Sequence, residues 1–130
     1  MSTGQYSASV VEHFGRPHNP GRLPEGPDVL YGTAGDESHG ARFALSARIA
    51  AGRIAEARFE AYGCPHCIAA ASWLTTRLTG AALEDLERWS WREAATALDV
   101  PAEKRGRLLI LEDAVRALAR AWRDLGELRA

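Results

Sequence analysis

The chain has 130 residues and a mass of 14.1 kDa, a length that suits one domain over residues 1–130 and excludes a multidomain machine. Hydrophobic residues make up 46% and charged residues 25%, close to the globular average, which argues against a disordered tail and against a membrane protein. A formal net charge of -1 and a pI near 6.4 remove the electrostatic case for sequence-independent nucleic-acid binding.

The opening MSTGQYSASVVEHF has no basic stretch followed by an apolar one, and no later segment approaches the ~20 apolar residues of a membrane span. The expectation is a cytoplasmic protein with neither a nucleic-acid nor a membrane partner. Tyr6 to Phe14, with Val10, Val11 and Phe14 between polar residues, suits a short amphipathic helix. Gly15 to Pro27 holds Pro17, Pro20, Pro24 and Pro27 and reads as an extended surface connection.

Beyond it the period becomes two. Val29, Tyr31 and Thr33 alternate with Leu30 and Gly32, and Phe43, Leu45, Ala47 and Ile49 alternate with Arg42, Ala44, Ser46 and Arg48. A turn at Ala50-Ala51-Gly52-Arg53 leads into Ile54 to Tyr62. Ala55, Ala57, Phe59 and Ala61 would share one face there, opposite Glu56, Arg58 and Glu60 on a wet face.

After Cys67 the pattern is helical. Ile68 to Leu78 is rich in alanine and leucine and stops at Gly80, while Ser90 with Glu93 makes a helix-start signal. Leu108, Leu111, Val115, Leu118, Trp122 and Leu125 draw one apolar stripe down a final helix. The predicted fold is α+β: an N-terminal helix and a three-stranded antiparallel sheet packed on one face by C-terminal helices.

The densest chemistry is Tyr62-Gly63-Cys64-Pro65-His66-Cys67, at a strand-to-helix junction. These are the only two cysteines, too close in sequence to staple distant segments, so their role is local. A helix amino terminus favours anions, so a thiolate there is a better nucleophile and a better metal ligand. Three readings follow. Cys-Pro-His-Cys has the form of a thioredoxin-like redox motif, but the strands and the proline loop that such a domain places after it are missing here. Two inert cysteines at a tight turn are the plain alternative. A metal site is the third, with Cys64 and Cys67 as half of it and the other donors from His39, in the polar loop Gly35 to Gly40, and from His66.

Several segments resemble the NifU N-terminal and IscU family of iron–sulfur cluster assembly scaffolds. Tyr6-Ser7, His13-Phe14, Pro17, Asn19 and Gly21 match one family pattern, Ala57-Arg58-Phe59 with Tyr62-Gly63-Cys64 a second, and Glu112-Asp113-Ala114 a third. The resemblance runs from Tyr6 to about Leu125 and implies a SufE/NifU-like fold of the kind periodicity predicts. It also implies an iron–sulfur cluster or iron as cargo, no turnover, and a cysteine desulfurase as partner.

Of the three scaffold cysteines that the resemblance implies, only Cys64 is present. His39-Gly40-Ala41 stands where the family has Cys-Gly-Asp, and Gly106-Arg107 where it has His-Cys, so Arg107 brings positive charge to the third position. Cys67 and His66 are additions. Histidine and cysteine together are also an ordinary zinc set. Val100-Pro101-Ala102-Glu103-Lys104 is similar to the family's chaperone-recognition stretch and keeps its proline and lysine, so Pro101 and Lys104 are the candidate partner contacts.

The other chemical features read as structure. Trp73, Trp89, Trp91 and Trp122 sit at helical spacing beside leucines and suit packing, and Glu84-Asp85 and Glu112-Asp113 read as solvated charges. The competing function, a thiol-disulfide or sulfur-relay protein, needs only Cys64 and Cys67, whereas metal binding needs His39.

Overall fold

A computed structural model describes residues 6–129. In chain order it contains α1 (Ala8–Gly15), β1 (Val29–Asp36), β2 (Ala41–Ala50), β3 (Arg53–Tyr62), α2 (Pro65–Leu78), α3 (Leu83–Arg88), α4 (Trp91–Ala97) and α5 (Arg105–Arg129). Short 3-10 turns lie at Glu37–His39 and Ala102–Lys104. The strands form an antiparallel sheet in the order β1-β2-β3, as the two-residue periodicity predicts. Ala51 and Gly52 close the β2–β3 hairpin with φ of 53° and 75°, the left-handed pair that a two-residue turn requires.

The alternation in β3 slips once. Ala57 faces Ala47 and Glu56 faces Arg48, but Ile49 faces Ile54, so Ala55 has no partner across the ladder. This bulge buries Ile54 and turns Ala55 to solvent, contrary to the strict alternation that put Ala55 beside Ala57.

One face of the sheet is covered by α5, whose Leu108, Leu111, Val115, Leu118 and Trp122 are all buried. Each buried leucine contributes about 2 kcal/mol relative to exposure. The helix lies directly on β1 at Gly32. A Cβ at Gly32 would stand 2.4 Å from the Leu118 amide nitrogen and 2.6 Å from the Ala114 carbonyl oxygen. Only a residue without a side chain lets the two backbones approach this closely.

The outer face is drier than the sequence suggested. The proline-rich stretch pairs along β3, with Gly21 N–H donating to the Phe59 carbonyl at 2.8 Å and Phe59 N–H to the Asn19 carbonyl at 3.1 Å. It then crosses β2, where the buried Ser46 hydroxyl accepts from Leu23 N–H at 3.0 Å. The stretch therefore protects an otherwise open sheet edge.

Two of the paired carboxylates also have structural work. Glu112 accepts from Trp91 N–H at 3.0 Å and so caps α4, and Asp85 accepts from Ala82 N–H at 2.9 Å at the start of α3. Trp73, Trp89 and Trp122 are buried in the core, as packing residues should be.

On the far side, α1 packs on α2. The Ser7 hydroxyl donates to the Leu98 carbonyl at 2.6 Å, and the buried Ser72 hydroxyl meets His13 Nδ1 at 2.8 Å while accepting from His18 N–H at 2.7 Å. Partial burial, with His18 nearby, lowers the His13 pKa from its ordinary value of 6.5.

Two measurements check this account. Gly32→Ala is expected to cost at least about 2 kcal/mol in urea unfolding, because neither backbone can give way. Gly126→Ala, where a Cβ meets nothing within 4 Å, should instead gain up to about 1 kcal/mol. A histidine whose folded pKa is depressed supports the fold above its unfolded value, and that support is lost as the pH falls toward the folded value. The stability of the wild type should therefore drop below pH ~6.5 more steeply than that of His13→Gln.

Candidate functional site

β3 ends at Tyr62, and the chain turns through Gly63 at φ 153° to Cys64, which occupies the cap position of α2 with Pro65 as its first helical residue. Cys67 follows one helical turn later, on the same face. The two sulfurs lie 3.7 Å apart. Gly63 makes room for this pairing, since a Cβ there would stand 2.7 Å from both Cβ and Sγ of Cys67. Cys67 is 0% exposed, whereas Cys64 is only partly buried.

Three parts of the chain meet here. The Gly40 carbonyl at the end of the β1–β2 loop lies 3.4 Å from the Cβ position of Gly63, and the Arg107 guanidinium lies 3.6 Å from that of Gly40. The Arg107 charge also favours the thiolate form of Cys64. The loop after His39, the turn at Cys64 and the start of α5 are the three positions at which the resemblance places scaffold cysteines. Their convergence replaces one sulfur by a guanidinium.

The electrostatics make the two thiols unequal. The Cys67 thiol donating to Cys64, then the Cys67 amide, the Arg107 guanidinium and the His66 amide, outweigh partial burial and lower the Cys64 pKa to about 4. Cys67 moves up, first because its proton is shared with Cys64 and then because it is buried beside that charge. Arg107 is held more firmly protonated by the Cys64 thiolate. The two shifts run in opposite directions, favouring a thiolate at Cys64 and a thiol at Cys67.

The expected metal donors are only partly assembled. A tetrahedral ion bound at ~2.3 Å by two sulfurs sets them about 3.8 Å apart, so the observed 3.7 Å spacing fits half of such a site. His39 is exposed, and its Nδ1 pairs with Asp36 at 2.7 Å, so that nitrogen is already engaged. His66 is buried, with its ring centroid 4.9 Å from that of Tyr6 and neither ring nitrogen partnered among the described residues. No group of three or more His, Cys, Asp or Glu side chains is arranged to hold a metal among the described residues.

Pro101 opens the 3-10 turn that leads into α5, and Lys104 closes it; both are half-buried, and Arg107 follows one turn later. The charge of Arg107 was legible in the sequence; the approach of its guanidinium to Gly40 and the role of Gly63 were not, because they depend on how distant segments seat against one another. A groove of about 820 Å³ between α2, α3 and α4, lined by Trp73, Arg77, Trp89 and Arg92 among others, includes neither cysteine. The sulfur chemistry therefore sits on a surface turn.

The asymmetry predicts selective chemistry. With limiting iodoacetamide at pH 6, mass spectrometry should find one adduct per chain, on Cys64. Arg107→Gln should slow that reaction, whereas equal labelling of the two cysteines contradicts the arrangement.

Comparison with known proteins shows the family and the fold. Residues 5–124 match the family model for the NifU-like N-terminal domain. The chain is 32% identical over 120 residues to the iron–sulfur cluster assembly scaffold protein IscU of Azotobacter vinelandii, covering 91% of this chain and 94% of that protein. It is 31% identical over 126 residues to the mitochondrial iron sulfur cluster assembly protein 1 of Schizosaccharomyces pombe, covering 95% of this chain and 66% of that one. The solved structure of a NifU-like protein (N-terminal) from Brucella abortus superposes with a TM-score of 0.64 at 18% identity, over 96% of both chains, and so shares the fold. A shared fold and a family match along nearly the whole length together make this chain a member of the NifU-like N-terminal domain family.

Proposed function

We propose that the chain acts in iron–sulfur cluster assembly as a scaffold-derived carrier, taking sulfur on Cys64 and presenting it with Cys67 to iron. The observation that carries this reading is the pair of sulfurs 3.7 Å apart at the start of α2, where Cys67 and the Arg107 charge push the Cys64 pKa down. Scaffold relatives such as the Azotobacter protein supply the context. The whole of residues 1–130 works as one domain in this reading, without turnover of its own and in a reducing, cytoplasmic compartment. No helix among the described residues is long and apolar enough to cross a membrane.

Iron and the cluster are cargo here. Cys64 and Cys67 give two sulfur donors, and His39 becomes the third by leaving Asp36, a movement its exposure permits. His66 is the remaining donor in the proposed set, and it would have to turn from Tyr6. The same sulfurs suit zinc, so both ions are to be measured. The sulfur donor is a cysteine desulfurase. Tyr62, 50% exposed, and Leu109, 46% exposed, flank the site in sequence and offer apolar contacts for such a partner. Pro101 and Lys104 are the proposed chaperone contacts.

The test combines the reduced chain with a cysteine desulfurase, cysteine, a dithiol reductant and ferrous iron without oxygen, and follows cluster absorbance and bound metal. Wild type should gain sulfur and iron, Cys64→Ser neither, and His39→Ala less iron with unchanged sulfur. Arg107→Cys, which restores a third thiolate, should raise cluster yield. Equal loading of wild type and Cys64→Ser overturns the proposal.

A further inference from the structure

We infer that Cys67 is the resolving thiol for a persulfide on Cys64, so that the pair itself supplies the two electrons that turn sulfane sulfur into sulfide. This rests on the reading that Cys64 accepts sulfur and adds a reaction to it. The geometry favours it in three ways. Cys64 is the more accessible sulfur, at the cap of a 14-residue helix. Cys67 is 0% exposed, which keeps it from an incoming donor, yet its sulfur is 3.7 Å from that of Cys64. Gly63 leaves the space beside Cys67 free of a Cβ, so nothing stands between the two sulfurs on that side.

The steps balance. The Cys64 thiolate attacks the outer sulfur of a protein persulfide; the new bond makes Cys64–S–SH, and the donor leaves as a thiolate. Cys67 then attacks the Cys64 sulfur, forming the Cys64–Cys67 disulfide, and the outer sulfur departs as hydrosulfide, which takes up the Cys67 proton. Two thiols are oxidised and one sulfane sulfur is reduced to sulfide. An external dithiol restores the pair before a second round. A metal bound between the sulfurs would block the step, so sulfide release precedes or alternates with iron loading.

The test gives the reduced, full-length chain a cysteine desulfurase and cysteine without oxygen or added reductant. The expected wild-type product is about 2 Da lighter, as the internal disulfide, with about one sulfide released per chain. Cys67→Ser should instead stay about 32 Da heavier, as the Cys64 persulfide, with sulfide falling at least about tenfold. Cys67→Ala is run alongside, and the thermal melts of both variants establish that they fold. A stable persulfide on wild type with no sulfide release overturns the inference and leaves sulfur acceptance intact. Absence of persulfide and of disulfide in every variant overturns sulfur acceptance, and the inference with it.

Discussion

The close seating of α5 on β1 is the constraint from which the site follows. At Gly32 the strand backbone meets the backbone of α5 near Ala114 and Leu118 with no side chain between them. That contact fixes the helix in translation and roll. Because an α-helix is stiff, it also fixes the position of Arg107, about 16 Å back along the axis from Leu118.

The convergence changes the charge of the site without changing its place. Three thiolates would form a strongly anionic pocket suited to iron. Here one thiolate is balanced by one guanidinium, and the second sulfur stays protonated. Such a site attracts a cation less and accommodates an added anionic sulfur more readily, since the guanidinium can follow the charge outward. Under the proposed function, an arginine where the family resemblance implies a cysteine would shift emphasis from holding metal toward handling sulfur, while the half-chelate spacing of the two sulfurs suits metal.

Much of the fold was legible because burial imposes period. The stripe from Leu108 to Trp122 is the buried face of α5, and the alternation around Phe43 and Leu45 is β2. Two features were not legible. The bulge at Ala55 is invisible to a period-two reading because it interrupts the period itself. The proline-rich stretch looked like a surface connection, but its backbone groups find partners on β3 and Ser46, and those depend on where the sheet's free edge lies. At the site, local sequence placed Cys64 at a helix start and set Cys67 one turn away. It could not give the pairing of His39 with Asp36, which engages one ring nitrogen within its own loop. Glu112 is the same lesson for charge: it looked solvated in sequence and caps another helix in three dimensions.

The central claim is that Cys67 and Arg107 together make Cys64 an anionic sulfur at physiological pH. The most direct measurement is the titration of the Cys64 Cβ resonance by NMR in the reduced chain. The account predicts a midpoint far below neutrality, near pH 4, with Cys67 remaining a thiol throughout the range. A Cys64 midpoint close to the ordinary thiol value of 9.0 contradicts it.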